Sequence, residues 1–331
     1  MKAIKFFAIS AMAAAMITSC STDDELSQSN YPSDNIIRVT AGVNNAKTRA
    51  EGAGTEMKND FSLTIVNKNA PKYTYTDKVF SKKSGDWACS ETLLWQKSDA
   101  LVDIVAFAPA QTGKFNGVYA EGSIQPITYS VASDQSTDQS TSSDNNDLLY
   151  YYAPGFNPGK SLVDKKLNIQ FNHAFCMIDI VVTLGTEFNK PNVLDNSPIV
   201  KVTLGGTKIA ANVNVTNAAS VVTISETDAA TDITTTKGSF DKAADPEANA
   251  KSHFSCIAIP QTVGANTFKV SLMTAGKRYE WTSDKEITLQ SGYRYTLNLS
   301  MGNDVVLLKG GSISASPWTE GDTGDKPLET D

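Results

Sequence analysis

Histidine is almost missing from this chain: there are two in 331 residues. That leaves little material for acid–base chemistry. Cysteine is scarce as well, with four residues, one of them at position 20. The other three, Cys89, Cys176 and Cys256, are an odd count, which argues against a complete disulfide framework. No G-x-S-x-G elbow, Walker loop or G-x-G-x-x-G occurs, and the carboxylates are scattered through polar connectors, so an enzyme is unsupported and no cofactor is expected. No basic patch interrupts a net charge of −7, which excludes nucleic acid as a partner.

Long helix-period stretches are missing too. Serine, threonine, asparagine, glycine and valine are abundant, and that composition points to an all-β protein. With 40% hydrophobic and 20% charged residues, the chain can bury a sizeable core, most simply in two domains.

The histidines and cysteines form two H-x-x-C units, HAFC at 173–176 and HFSC at 253–256, which together count as four metal ligands. Strand periodicity rejects the site. In FNHAFCMIDIVVTL, 171–184, the even positions Ala174, Cys176, Ile178, Ile180, Val182 and Leu184 make one apolar face. Side chains alternate across a strand, so a spacing of three puts His173 and Cys176 on opposite faces. HFSCIAIP, 253–260, has the same geometry. One ligand from each strand makes two ligands, not four. These residues are expected to be core, and no metal is expected.

Residues 1–20 read MKAIKFFAISAMAAAMITSC. Lys2 and Lys5 precede an apolar run from Phe6 to Ile17, too short for a retained membrane span. The sequence Ile17-Thr18-Ser19-Cys20 resembles a bacterial lipobox, which makes 1–19 a signal peptide and Cys20 the lipidated first residue of the mature chain. Several acyl chains give stable anchoring where one is marginal. Ser21-Thr22-Asp23-Asp24-Glu25 follows, and an acidic run there resembles the surface-export signal of certain Gram-negative anaerobes. Removing 1–19 takes away two lysines and no acid, moving the formal charge from −7 to −9.

NIIRVTAGV, 35–43, alternates cleanly: Ile37, Val39, Ala41 and Val43 share one face, and Arg38, Thr40 and Gly42 the other. NNAKTRAEGAGTEMKND, 44–60, is too polar and glycine-containing to pack. Strands are expected at 61–66, 72–80, 86–95, 101–109 and 147–154, with a mobile polar loop at 133–147. Glycines and prolines at 154–160 mark a domain boundary. The second half opens on one strand over 167–184, then a hairpin over 201–215 turning at Gly205-Gly206, and a long loop at 225–252. A hairpin over 267–282 and strands at 287–301, 304–308 and 313–318 complete it. Each half supplies about seven short strands, as a β-sandwich requires.

Taken in order, these pieces resemble the fimbrillins, pilin-type lipoproteins of Gram-negative anaerobes. The resemblance lies in the lipobox cysteine, a first strand, an arginine in a TRA context, VDIVAFAP, DLLYYYAP, FNHAFCMIDIVV, and the ending GYRYTLNLS…ISASPW. It implies two consecutive transthyretin-like β-sandwiches, here 50–158 and 159–320, after a tether and removable first strand at 20–49 and before an acidic tail at 321–331. It also implies cleavage by an arginine-specific protease between Arg49 and Ala50, loss of the strand carrying Ile37, Val39, Ala41 and Val43, and filling of the vacated groove by a strand from another fimbrillin subunit. The partners implied are sister subunits, the protease, the outer membrane through the lipid, and a host or glycan receptor. The location implied is the outer-membrane surface, then the fimbrium after processing.

The residues fit that scheme. Arg49 sits among small flexible neighbours, whereas Arg38 lies inside a strand and is a poor protease target. The run from Asp304 to Trp318 reads equally as a donor strand or as the last core strand. The rival reading is a monomeric surface lipoprotein that binds glycans or host ligands, with Trp87, Trp95, Trp281, Trp318 and the tyrosines at 150–152 as stacking faces. Aromatics at strand spacing are more often core.

Overall fold

The structure, a computed structural model, describes residues 30–44, 55–57, 59–110, 119–120, 122–137, 146–224, 228–303, 305–308 and 313–318. Strands and turns dominate it, and the one α-helix described spans only Pro158–Ser161. The all-β expectation holds. No helix among the described residues is long and apolar enough to cross a membrane.

The first sheet runs Leu167–His173, Leu149–Phe156, Val102–Ala108, Phe61–Val66, Tyr75–Lys83, Asp86–Cys89 and Val39–Val43. Val39–Val43 then pairs back onto Leu167–His173, so seven strands close into a barrel, and Thr55–Glu56 extends it from the closing strand. A closed sheet leaves no free edge. In the first half, where a β-sandwich is expected, the sheet closes on itself.

The near-continuous apolar run of Val102–Ala108 now has its reason. Ile104, Ala106 and Ala108 face the barrel core, while Val105 and Phe107 face a second core on the other side. A strand covered on both faces has no need of polar alternation.

The second core lies between two sheets. One orders Thr236–Asp241, Lys251–Ala258, Cys176–Leu184 and Tyr293–Met301, with Val306–Leu308 and Ser314–Pro317 both pairing along Tyr293–Met301. The other orders Ile233–Thr234, Ile199–Gly205, Lys269–Thr274 and Arg278–Thr282. Cys176, Ile178, Ile180, Val182 and Leu184 are fully buried between them, as the even-position face requires. A small sheet of Ile127–Ser130, Ala210–Val213 and Val222–Ile224 ties a segment of the first half into this core.

Four local expectations change. The single strand over 167–184 is two strands in two sheets. Leu167, Ile169, Phe171 and His173 are buried in odd phase, Ala174 and Phe175 are both buried, and burial resumes in even phase from Cys176. That phase switch is where the chain passes from barrel to sandwich, so strand Leu167–His173 belongs to the first sheet although it lies past the expected boundary at 158.

The 201–215 hairpin is not one, because Ile199–Gly205 and Ala210–Val213 lie in different sheets. Gly206 turns the corner at φ +87°, and a Cβ there would sit 2.2 Å from the Thr267 carbonyl oxygen. The 225–252 loop holds two short strands, 233–234 and 236–241. Of the 133–147 loop, 138–145 lie outside the described residues, but Gln135 at its start is buried. Its side-chain amide accepts from the Ile257 N–H at 2.8 Å and donates to the Ile257 carbonyl at 2.9 Å, so it serves as a clasp.

Candidate functional site

The alternation in 35–43 produces a strand whose inner side chains complete the barrel core. Ile37, Val39 and Val43 are buried and Ala41 is half-buried, while Arg38 and Thr40 face outward. They pack in the cluster built around Phe61, whose ring stacks on Phe80 at 5.4 Å and meets Trp87 and Phe171 edge-on at 5.0 and 5.5 Å.

The strand's two edges are unequal. Along Leu167–His173 it forms an unbroken parallel ladder, Val39↔Leu167 through Val43↔Phe171. The ladder is extended by Leu167 N–H donating to the Arg38 carbonyl at 2.8 Å and Asn44 N–H donating to the Phe171 carbonyl at 2.8 Å. Outer side chains add two contacts, Thr40 Oγ1 to Asn168 Oδ1 at 3.2 Å and Asn44 Nδ2 to Asn172 Oδ1 at 2.9 Å. On the other edge the described pairings are Val39↔Trp87 toward Asp86–Cys89 and, at the far end, Gly42↔Glu56 and Val43↔Thr55 toward Thr55–Glu56. Just before Val39, a cleft of about 210 Å3 opens between the strand and its neighbour, lined by Ile37, Arg38, Phe80, Trp87, Glu91 and Leu93. Two backbone bonds beyond the cleft hold the strand's start: Ile37 N–H to the Leu93 carbonyl at 2.9 Å and Trp95 N–H to the Asn35 carbonyl at 2.8 Å.

Asp34 fixes the start from outside. Its carboxylate takes two bonds from the Arg38 guanidinium, at 3.0 and 2.6 Å, and one from the Ile36 N–H at 3.1 Å. The Arg38 bonds, then the Ile36 bond, lower the Asp34 pKa to about 2. Arg38 is therefore paired within the folded strand. Cys20, Arg49 and Ala50 lie outside the described residues.

The partner strand Leu167–His173 belongs to this site although the sequence expectation places it in the second half. It lies 128 residues away along the chain, and its signal in the sequence was the odd-phase run Leu167, Ile169, Phe171 ahead of the even-phase run from Cys176.

The H-x-x-C residues do not converge. His173 Nδ1 bonds Asp147 Oδ2 at 2.8 Å, and His253 Nε2 bonds Asp241 Oδ2 at 2.8 Å. Cys176 and Cys256 are buried in the second core, where burial pushes both thiol pKa values upward, and the Cys176 thiol donates to the Ala258 carbonyl. Among the described residues no group of three or more His, Cys, Asp or Glu could hold a metal ion.

The aromatics named as sugar platforms point inward. Trp95 stacks on Phe156, Trp87 packs on Phe61, Trp281 meets Phe268 edge-on, and Trp318 stacks on His173. Tyr150 and Tyr152 pack against the second core and Tyr151 against the first. Burial raises all three hydroxyl pKa values.

The run proposed as a donor is docked within its own subunit. Val306–Leu308 and Ser314–Pro317 both lie antiparallel to Tyr293–Met301.

A family model described as fimbrillin-like matches residues 48–318. Among solved structures, the chain is similar to a candidate cell adhesion protein from Bacteroides ovatus, at 16% identity over 86% of this chain and 97% of that one, with a TM-score of 0.60. A candidate cell adhesion protein from Bacteroides uniformis is 17% identical over 86% and 100%, with a TM-score of 0.55. A fimbrial protein from Bacteroides vulgatus is 14% identical over 86% and 99%, with a TM-score of 0.53. At these identities the likeness is one of fold. No curated protein matches the chain.

Proposed function

The chain belongs to the fimbrillin-like family, and from that premise we propose that it is a pilus subunit supporting adhesion. In this reading it is exported as a lipoprotein anchored through Cys20 to the outer membrane, cut between Arg49 and Ala50, and polymerised when the strand Val39–Val43 is replaced by a strand of a neighbouring subunit. Its two halves act as transthyretin-like units of a surface fibre.

The observation that carries the reading is the unequal hold on the closing strand. One edge is laddered along its whole length, the other is paired only at Val39 with Trp87 and at Gly42 and Val43 with Glu56 and Thr55 and opens on a cleft before Val39, and the strand's buried side chains close a barrel. Burying Ile37, Val39 and Val43 is worth roughly 4.5–9 kcal/mol, and each ladder bond adds about 1 kcal/mol net. Ordering residues 37–43 costs about 7–14 kcal/mol, at about 1–2 kcal/mol per residue. The terms nearly cancel, so the covalent link to the barrel is what keeps this strand in place. A cut at Arg49 turns an intramolecular contact into an exchangeable one, and a vacated strand position is a template for β-augmentation. The family match agrees with this division, since it begins at residue 48, after the strand, and ends on Trp318.

The test is limited digestion with an arginine-specific protease, followed by intact mass and electron microscopy. The expected result is one clip between Arg49 and Ala50 with fibres, and an Arg49→Ala protein that stays uncut and monomeric. A clipped protein that releases residues 20–49 and never associates overturns the proposal.

A further inference from the structure

We propose that Trp318 is a latch that couples the C-terminal strand to the barrel-closing strand, so that loosening one loosens the other. The closing strand and Trp318, the residue after the C-terminal strand, both meet the same element, Leu167–His173. The closing strand lies along its edge up to Phe171, and Asn44 bonds the Phe171 carbonyl and the Asn172 side chain. The next residue, His173, carries Trp318: the two rings stack with centroids 3.8 Å apart and planes 14° from parallel. Asp147 holds the imidazole in its own plane through Nδ1. Behind the indole a short backbone relay returns to the same place. Trp318 N–H donates to the Gly292 carbonyl at 2.7 Å, and Gly292 N–H donates to the Phe175 carbonyl at 2.8 Å.

The strand before the latch has little hold of its own. Ser314, Ala315 and Pro317 are exposed and Ser316 is half-buried, whereas Trp318 is only 9% exposed. Apart from its ladder to Tyr293–Thr296 and the half-buried Ile313 just before it, the strand is fixed by the large side chain of Trp318, seated over a residue of the other unit. That seat depends on the position of the 171–173 backbone, which Leu149 and Tyr150 pair from one edge and which the closing strand and Asn44 brace from the other at Phe171 and Asn172. Coupling between two sites is reciprocal in free energy, so removing the indole must also weaken the closing strand. On the strand-exchange reading, on which this consequence rests, losing the N-terminal strand is the event that frees the C-terminal one.

Hydrogen–deuterium exchange on the uncut full-length chain tests the latch without reference to fibres. Trp318→Ala is expected to speed exchange about three- to tenfold, the scale of one aromatic pair, at 314–317 and also at 39–43 and 167–173. Trp318→Phe, which keeps a ring over His173, is expected to restore most of the protection. Faster exchange confined to 314–317, or a Phe variant as loose as Ala, overturns the proposal. Should Trp318→Ala lose protection throughout the chain, His173→Gln, which keeps a polar partner for Asp147 and removes the stack, is read by the same two outcomes. Fibre assembly after clipping is scored separately: coupling without fibres counts against strand exchange, and fibres without coupling count against the latch.

Discussion

Replacing Ile37 by alanine probes the closing strand at its most informative point. The side chain is 6% exposed, and its N–H is held by the Leu93 carbonyl. Truncation removes three carbons from the barrel core, worth about 2.4 kcal/mol at roughly 0.8 kcal/mol each. A cavity left behind would raise the cost toward the upper part of the roughly 2–5 kcal/mol range for such changes. Here the residue borders the 210 Å3 cleft, so its neighbours and water can fill the gap, and the loss should stay at about 2–3 kcal/mol. The assay is urea unfolding followed by hydrogen exchange, read separately on 61–66 and 102–108 in the barrel and on 176–184 in the sandwich, because two cores need not melt as one. The barrel segments should lose protection at lower urea while 176–184 holds. Thr40→Ala, on the outer face of the same strand, should shift them by no more than about 0.5 kcal/mol. After cleavage at Arg49, the Ile37→Ala strand should leave roughly 30- to 150-fold faster, the same energy expressed as a rate. If Ile37→Ala costs no more than Thr40→Ala, the inner face of this strand does not hold the barrel shut and the reasoning fails.

Three further outcomes are expected. Asp34 has its pKa depressed to about 2 by Arg38, so its contribution is full above about pH 4 and fades as pH falls toward 2; exchange at 36–39 should accelerate across that window in the native protein and show no such step in Asp34→Asn. Gly206→Ala places a methyl 2.2 Å from the Thr267 carbonyl at a positive φ, and should cost about 2 kcal/mol or more by urea unfolding of 199–205 and 269–274. In native protein, residue-resolved alkylation should modify Cys89, which is half-buried, long before Cys176 and Cys256, which are buried and held protonated; equal rates would contradict the packing of the second core.

What the sequence determined by itself was local. Alternation is written within a strand, so the inner faces of 39–43, 176–184 and 293–301 could be assigned before any neighbour was known, whereas setting His173 opposite Cys176 assumed one strand where the chain in fact changes sheet. The lipobox-like run 17–20 and the proposed cleavage at Arg49 are likewise read from linear pattern alone. Which strands would meet was not written there. The ladder is made of backbone groups that every residue shares, so nothing in Val39–Val43 names Leu167–His173 as its partner or parallel as its direction. The tertiary structure alone closed the first sheet into a barrel, moved Leu167–His173 into it, and seated Trp318 on His173. Each of these depends on how two cores share one chain, a property of packing between distant segments that no local period encodes.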